Sequence, residues 1–189
     1  MFIKLIVITL IGIFYITYFA KMINQRIHGI KTNQLGKGKN GLEKFIEYIL
    51  KFVSIFMPIV QIIFIIIYTG KMSNIVKGIG VVILIIADII FLLAILQMNN
   101  NWRAGVPVGE KNSLVTSGIY SVSRNPAFLA FDLMHIGILI NFYNCLLFML
   151  TVFSILIFHL QIVKVEEKYL INTFGEEYLC YCRNVNRYL

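Results

Sequence analysis

Two polar stretches interrupt an otherwise apolar chain, and they hold most of the side chains able to do chemistry. The first runs from Asn99 through Trp102, Arg103 and Leu114 to Tyr120 and the sequence Arg124-Asn125-Pro126-Ala127-Phe128. The second runs from Glu166-Glu167 through Phe174-Gly175-Glu176-Glu177-Tyr178 to Arg183 and Arg187. Between them lie two apolar segments joined only by Tyr143 and Asn144, so the chain must turn back on itself as a tight helical hairpin. That hairpin brings Arg124, Asn125 and Pro126 beside Glu166 and Glu167. Such a group of charges can hold a charged small molecule. It can equally be the start of a membrane helix: Pro126 suits a first helical turn, Asn125 suits an N-cap, and Arg124 suits the headgroup level. Gly175 likewise reads as a helix end followed by an amphipathic helix, and Trp102-Arg103 as an interfacial anchor.

The elements that must position these residues are apolar helices. The 189 residues are 59% hydrophobic and 14% charged, where soluble domains are roughly 25% charged, and the mean hydropathy is +0.81. A span needs roughly 20 apolar residues, and five segments meet or nearly meet that: 2–20, 52–69 (with Pro58 inside), 78–98, 127–142 and 145–163, the last two short enough to be shielded in part by the other helices. The sequence therefore predicts an all-α integral membrane protein with about five transmembrane helices, the last two forming the hairpin. It forms one domain over 1–189, with the first three spans in 1–98 and the chemistry in 99–189. Lys4 ahead of an apolar run resembles a signal peptide, but no small-x-small site follows, so a retained span is expected. The basic residues Lys21, Arg26, Lys31, Lys37, Lys39 and Lys44 follow the first span, Arg103, Lys111 and Arg124 follow the third, and Lys164, Lys168, Arg183 and Arg187 lie in the tail. Only Lys4, Lys71 and Lys77 lie opposite. The positive-inside rule then places the N-terminus outside and both polar stretches in the cytoplasm.

Other chemistries are not expected. Gly36-Lys37-Gly38-Lys39-Asn40-Gly41 lacks the ending and the preceding strand of a phosphate loop and reads as a flexible basic loop against anionic lipid. No glycine fingerprint of a Rossmann domain is present. Cys145, Cys180 and Cys182 provide neither a disulfide framework nor a zinc set, so no metal is expected, and no nucleic-acid partner. Asp88, Asp132, His135, His159 and Gln161 fall within apolar segments, where ionisable groups are functional candidates. Asp132 and His135, at i and i+3, read more simply as interhelical hydrogen bonding.

Taken together, Leu114-Val115-Thr116-Ser117-Gly118-Ile119-Tyr120, Arg124-Asn125-Pro126, Glu166-Glu167 and Phe174-Gly175-Glu176-Glu177-Tyr178 resemble the isoprenylcysteine carboxyl methyltransferase family, which is related to membrane phospholipid methyltransferases. The resemblance covers about Trp102 to the C-terminus. It implies methyl transfer from S-adenosylmethionine within a helical membrane fold, with S-adenosylhomocysteine as product. Cofactor contacts would fall on Asn112, Ser113, Leu114, Val115, Tyr120, Asn125, Pro126, Ala127, Phe128, Glu166 and Glu167. A carboxylate such as Glu166 suits the α-ammonium group, N–H groups after Pro126 suit the carboxylate, and Tyr120 suits the adenine. Arg103 and Arg124 are the catalytic candidates, Arg103 positioning an anionic acceptor group.

The family's Arg-His-Pro-x-Tyr reads Arg124-Asn125-Pro126-Ala127-Phe128 here, its substrate-linked arginine corresponds to Ile162, and its Arg-Val-Pro ending has Asn186 in place of proline. The acceptor implied is a lipid-like or prenylated molecule arriving from the bilayer. The alternatives are N- or O-methylation of a phospholipid or other amphiphile, and a non-enzymatic membrane scaffold that retains the fold.

Overall fold

The computed structural model describes residues 2–70, 72–106 and 113–189. Asn112, Lys71 and Lys111 lie outside the described residues. The long elements are α1 (Phe2–Ile27), α2 (Gly41–Ile67), α3 (Asn74–Met98), α4 (Pro126–Asn141) and α5 (Cys145–Gln161), followed by a π-helical turn (Ile162–Glu166), α6 (Glu167–Phe174) and α7 (Glu176–Asn184). Two 3-10 turns cover Asn99–Asn101 and Gly118–Ser121. Extended pairing among the described residues is confined to a bridge between Asn33 and Ala104.

Four helical rods are long and apolar enough to cross a bilayer: Phe2–Ile27, Gly41–Ile67, Asn74–Asn101 and Cys145–Phe174. Isoleucines such as Ile16, Ile23, Ile55, Ile66 and Ile75 point outward from them, which fits a multi-pass membrane protein. The short apolar segment expected over 127–142 forms α4, Pro126–Asn141. Its 16 residues reach only about 24 Å at about 1.5 Å per residue, short of a hydrocarbon core of about 30 Å. α4 lies against α3. Gly80 and Gly137 meet there so closely that a Cβ on either would sit 3.0 Å from the other's carbonyl oxygen. Such small-residue crossings let membrane helices pack by van der Waals contact. The rods also run past the apolar segments at one end. α1 continues to Ile27 and α2 begins at Gly41, so their polar ends extend beyond the apolar segments.

Ser73 Oγ accepts from Val76 N at 3.3 Å at the start of α3, and the Asn144 side chain accepts from Leu146 N at 2.9 Å at the start of α5. Both are ordinary helix caps. Lys4 Nζ donates to the Ile66 and Tyr68 carbonyls at 2.8 and 2.9 Å, so α1 and α2 run antiparallel. The core is aromatic: Phe14 and Phe91 stack with centroids 4.3 Å apart, and Phe131 meets Phe14 edge-on at 4.9 Å. Trp102 belongs to this core. It is buried edge-on against Tyr18 at 5.5 Å, which corrects its reading as an interfacial anchor.

The polar residues inside the bundle fall into two kinds, those with a partner on another element and those without one among the described residues. His135 Nδ1 lies 2.8 Å from Gln61 Nε2 of α2, and its ring stacks on Phe158 at 5.9 Å. His135 thus makes the interhelical hydrogen bond expected of it, to Gln61 of α2. Asp132 Oδ1 and Asp88 Oδ2 have no hydrogen-bond partner among the described residues. His159 Nδ1 lies 3.1 Å from the Tyr188 hydroxyl.

Candidate functional site

At one end of the bundle three connecting segments are tied together. Gln25, buried at the end of α1, donates through Nε2 to the Trp102 carbonyl at 2.8 Å and accepts from Thr32 Oγ1 at 2.7 Å. Gln34 N donates to Ala104 O at 2.8 Å, and Ala104 N donates to Thr32 O at 3.0 Å. The tail joins from the other side: Arg124 N donates to Asn186 O and Asn125 Nδ2 to Arg187 O, each at 3.0 Å. Connections that hydropathy separates by whole spans therefore share one surface.

Beneath it is a cavity of about 380 Å³, within the roughly 300–1,000 Å³ usual for small-molecule sites. Its polar wall comes from Asn101, Arg103, Ser113, Arg124, Asn125 and Glu166. Its apolar wall comes from Leu114, Val115, Tyr120, Ala127, Phe128, Phe131, Phe158, Tyr169 and Leu170. It reaches the middle of α1 and α2 at Tyr15, Phe19, Ser54 and Ile55, and those four residues also line an apolar groove between α1 and α2 with Ile8, Gly12 and Pro58.

Of the residues singled out from the sequence, Arg103, Ser113, Leu114, Val115, Tyr120, Arg124, Asn125, Ala127, Phe128 and Glu166 are brought together around this cavity. Pro126 is the first residue of α4 and is buried beside it. Glu167 turns away, because consecutive helical residues cannot face the same side. Its two carboxylate oxygens take the Arg187 fork at 2.9 and 3.0 Å, and Arg124 Nη1 lies 3.2 Å away. That hydrogen bonding raises Arg187 above its ordinary pKa.

Arg124 is the hinge between the two environments. Its Nη1 also donates to Tyr178 Oη at 3.2 Å and Cys182 Sγ at 2.6 Å, and its guanidinium lies 5.9 Å from the Tyr178 ring centroid. Its Nε is buried with no hydrogen-bond partner among the described residues. Arg103 donates to the Asn100 and Trp102 carbonyls at 2.5 and 2.9 Å, which fixes its side chain on the cavity wall. Asn125 occupies the N-cap position of α4, but its side chain makes no capping bond and goes to Arg187 instead. The first-turn N–H groups of Ala127 and Phe128, both cavity residues, are thus left without a side-chain cap.

Tyr120 is placed by Gly118, whose φ of +62° starts the 3-10 turn; a Cβ there would lie 2.7 Å from Gln97 Oε1. The Tyr120 carbonyl accepts from the Tyr181 hydroxyl at 2.5 Å. Burial chiefly, then the nearby Glu166 and Tyr181, raises the Tyr120 hydroxyl's pKa, so it stays neutral. Burial pushes Tyr181 up to about 12.

Sequence reasoning missed Tyr169, Phe174, Tyr178 and Tyr181 as cavity residues. Their signal was present in the aromatic spacing of the tail, with Tyr178 and Tyr181 at i and i+3 on one face of α7. It also missed Glu47 and Lys39. Lys39, read as facing lipid, is ion-paired with the buried Glu47 of α2 and is only 7% exposed.

These groups can hold a zwitterion. One carboxylate faces the cavity, a guanidinium offers an unpartnered N–H, and a helix start presents uncapped amides. A second arginine can take an anionic group, and apolar walls take a hydrocarbon or an aromatic ring. Comparison with known proteins agrees in kind. A family model described as phospholipid methyltransferase matches residues 76–177, just over half of the chain. Protein-S-isoprenylcysteine O-methyltransferase of Saccharomyces cerevisiae is 39% identical over 72 residues, which is 38% of this chain and 30% of that protein. The Schizosaccharomyces pombe protein of the same name is 37% identical over 75 residues, again 38% of this chain and 30% of the relative. In both cases the match spans less than a third of the relative's own length.

Proposed function

Because this chain belongs to the phospholipid methyltransferase family, we propose that it transfers a methyl group from S-adenosylmethionine to a lipid-like acceptor at the membrane. The observation that carries this reading is a single cavity lined by Glu166, Tyr120, Arg124 and Asn125–Phe128 that runs on between α1 and α2. The donor set fits the cofactor: Glu166 would take its ammonium, while the unpartnered Arg124 Nε and the first-turn amides of α4 would take its carboxylate. Tyr120, neutral and buried, would border the adenine. When bound, the cofactor supplies an already activated methyl on a sulfonium.

The protein's own work is alignment and exclusion of water. Arg103 would hold an anionic acceptor group on the opposite wall. A carboxylate acceptor needs no general base, which favours carboxyl methylation of a prenylated cysteine, the substrate type in the names of the two yeast relatives. The hydrocarbon would arrive laterally through the α1–α2 groove, and α4 would serve as a short fifth crossing. The N-terminus would then lie outside, with the cavity mouth and C-terminus in the cytoplasm.

The test is transfer of labelled methyl from S-adenosylmethionine in membranes containing the protein, with N-acetyl-farnesylcysteine and phosphatidylethanolamine offered separately. Base-labile label on the farnesylcysteine is expected. An Arg103→Ala variant should then raise the acceptor KM about tenfold, as loss of one charged hydrogen bond implies. Base-stable label on the amine lipid would redirect the assignment to N-methylation. Transfer to neither acceptor contradicts the proposal.

A further inference from the structure

Glu47 lies within the first two turns of α2, in the half of the chain that the family model does not cover, and it is fully buried. Its Oε2 accepts from Gly36 N at 2.5 Å. Its Oε1 is ion-paired with Lys39 and accepts from Gln161 Nε2 at 3.2 Å. A buried ion pair is a poor way to gain stability, since apolar residues of the same volume often do as well or better. The position of its third partner suggests another use. Gln161 is fully buried and is the last residue of α5, directly before the π turn that ends at Glu166. π turns inside helices re-aim side chains and occur often at functional sites. The Gln161 side chain also hydrogen-bonds the Glu166 carboxylate.

We propose that Glu47 is the positioning residue of the cofactor end of the cavity. Through Gln161 it fixes the Glu166 carboxylate, and through Gly36 and Lys39 it clamps the 33–39 loop, whose Asn33 and Leu35 form part of the cavity wall. The N-terminal half thus supplies a remote support for a carboxylate that the matched region supplies directly. This inference rests on the reading of Glu166 as the cofactor's ammonium partner. A support of this kind acts on Glu166 without touching the ligand, so it must disappear when Glu166 is neutralised.

The experiment is calorimetric binding of S-adenosylhomocysteine to the full chain in detergent. It compares wild type, Glu47→Gln, Gln161→Met, Glu166→Gln and the double variant Gln161→Met/Glu166→Gln. Gln161→Met leaves the Glu47–Lys39 pair intact, so it keeps the test open if Glu47→Gln does not fold. Glu47→Gln and Gln161→Met should each weaken binding about tenfold. The double variant should bind within about twofold of Glu166→Gln alone, the signature of coupled positions, and the acceptor KM of Gln161→Met should stay within about twofold of wild type. Wild-type affinity in Gln161→Met, or additive losses in the double variant, overturns the positioning role alone, provided Glu166→Gln weakens binding. Absence of binding by wild type overturns this inference together with the methyltransferase reading.

Discussion

Glu166 and Glu167 are neighbours in sequence, yet they belong to two regions built on opposite plans. The cavity on one side presents the Glu166 carboxylate, an uncapped helix start and an arginine N–H that has no partner among the described residues. The clasp on the other side satisfies its charges internally. Glu167 takes both arms of Arg187 and the side of Arg124, the tail carbonyls of Asn186 and Arg187 accept from Arg124 N and Asn125, and Tyr188 reaches His159. Polar groups left open beside a cavity are available to a ligand. Groups closed on one another hold the hairpin and the tail in register. Residue type alone would not separate the two glutamates; the direction each takes as it leaves the π turn does.

The comparison can be broken at several points. Glu167→Ala should have the largest effect on the fold, because it leaves two arginines facing each other; loss of one partner of a largely buried pair costs about 3–5 kcal/mol. It would be seen as a lower unfolding temperature in detergent, with cofactor affinity changing less than stability. If Glu167→Ala instead abolishes binding in a stable protein, the division between clasp and cavity is wrong. Arg124→Lys serves both regions and should affect both. It keeps the charge but loses the fork that reaches Glu167, Tyr178 and Cys182, so stability falls by about 1–2 kcal/mol and S-adenosylhomocysteine binds several-fold more weakly.

Tyr181→Phe belongs to the wall between the two regions. It removes the hydroxyl that donates to the Tyr120 carbonyl, at about 1 kcal/mol, and should shift Tyr120-dependent binding only slightly. The smallest effect is on alkaline stability. An unfolded tyrosine ionises near pH 10, whereas Tyr181 in the fold is pushed up to about 12. Its contribution is complete below pH 10 and is lost as pH rises from about 10 to about 12. Wild type should therefore lose more stability than Tyr181→Phe across that window, and equal losses would remove Tyr181 as the source.

Much of this was legible in the sequence wherever connectivity dictated it. A two-residue link between apolar segments forces a hairpin, and the hairpin brings Arg124 toward the Glu166-Glu167 pair, where Arg124 and Glu167 lie 3.2 Å apart. What was illegible depended on side-chain direction and on contacts between distant segments. Hydropathy does not reveal that α4 crosses α3 closely at Gly80 and Gly137, or that Trp102 turns into the aromatic core instead of toward headgroups. A basic loop looks the same whether Lys39 faces lipid or Glu47, because the deciding acid lies in another element. Asn125 has the residue type of an N-cap, but the tail carbonyl of Arg187, more than 60 residues away in the chain, takes its amide instead.

The cavity beside Glu166 is proposed to hold S-adenosylmethionine. Calorimetry with S-adenosylhomocysteine on the purified protein, wild type beside Glu166→Ala, tests it most directly. Wild type is expected to bind in the micromolar range and the variant at least tenfold more weakly, since a charged hydrogen bond is worth about 1.5–3 kcal/mol. A folded, monodisperse wild type that does not bind, or a Glu166→Ala variant that binds as tightly as wild type, would contradict it.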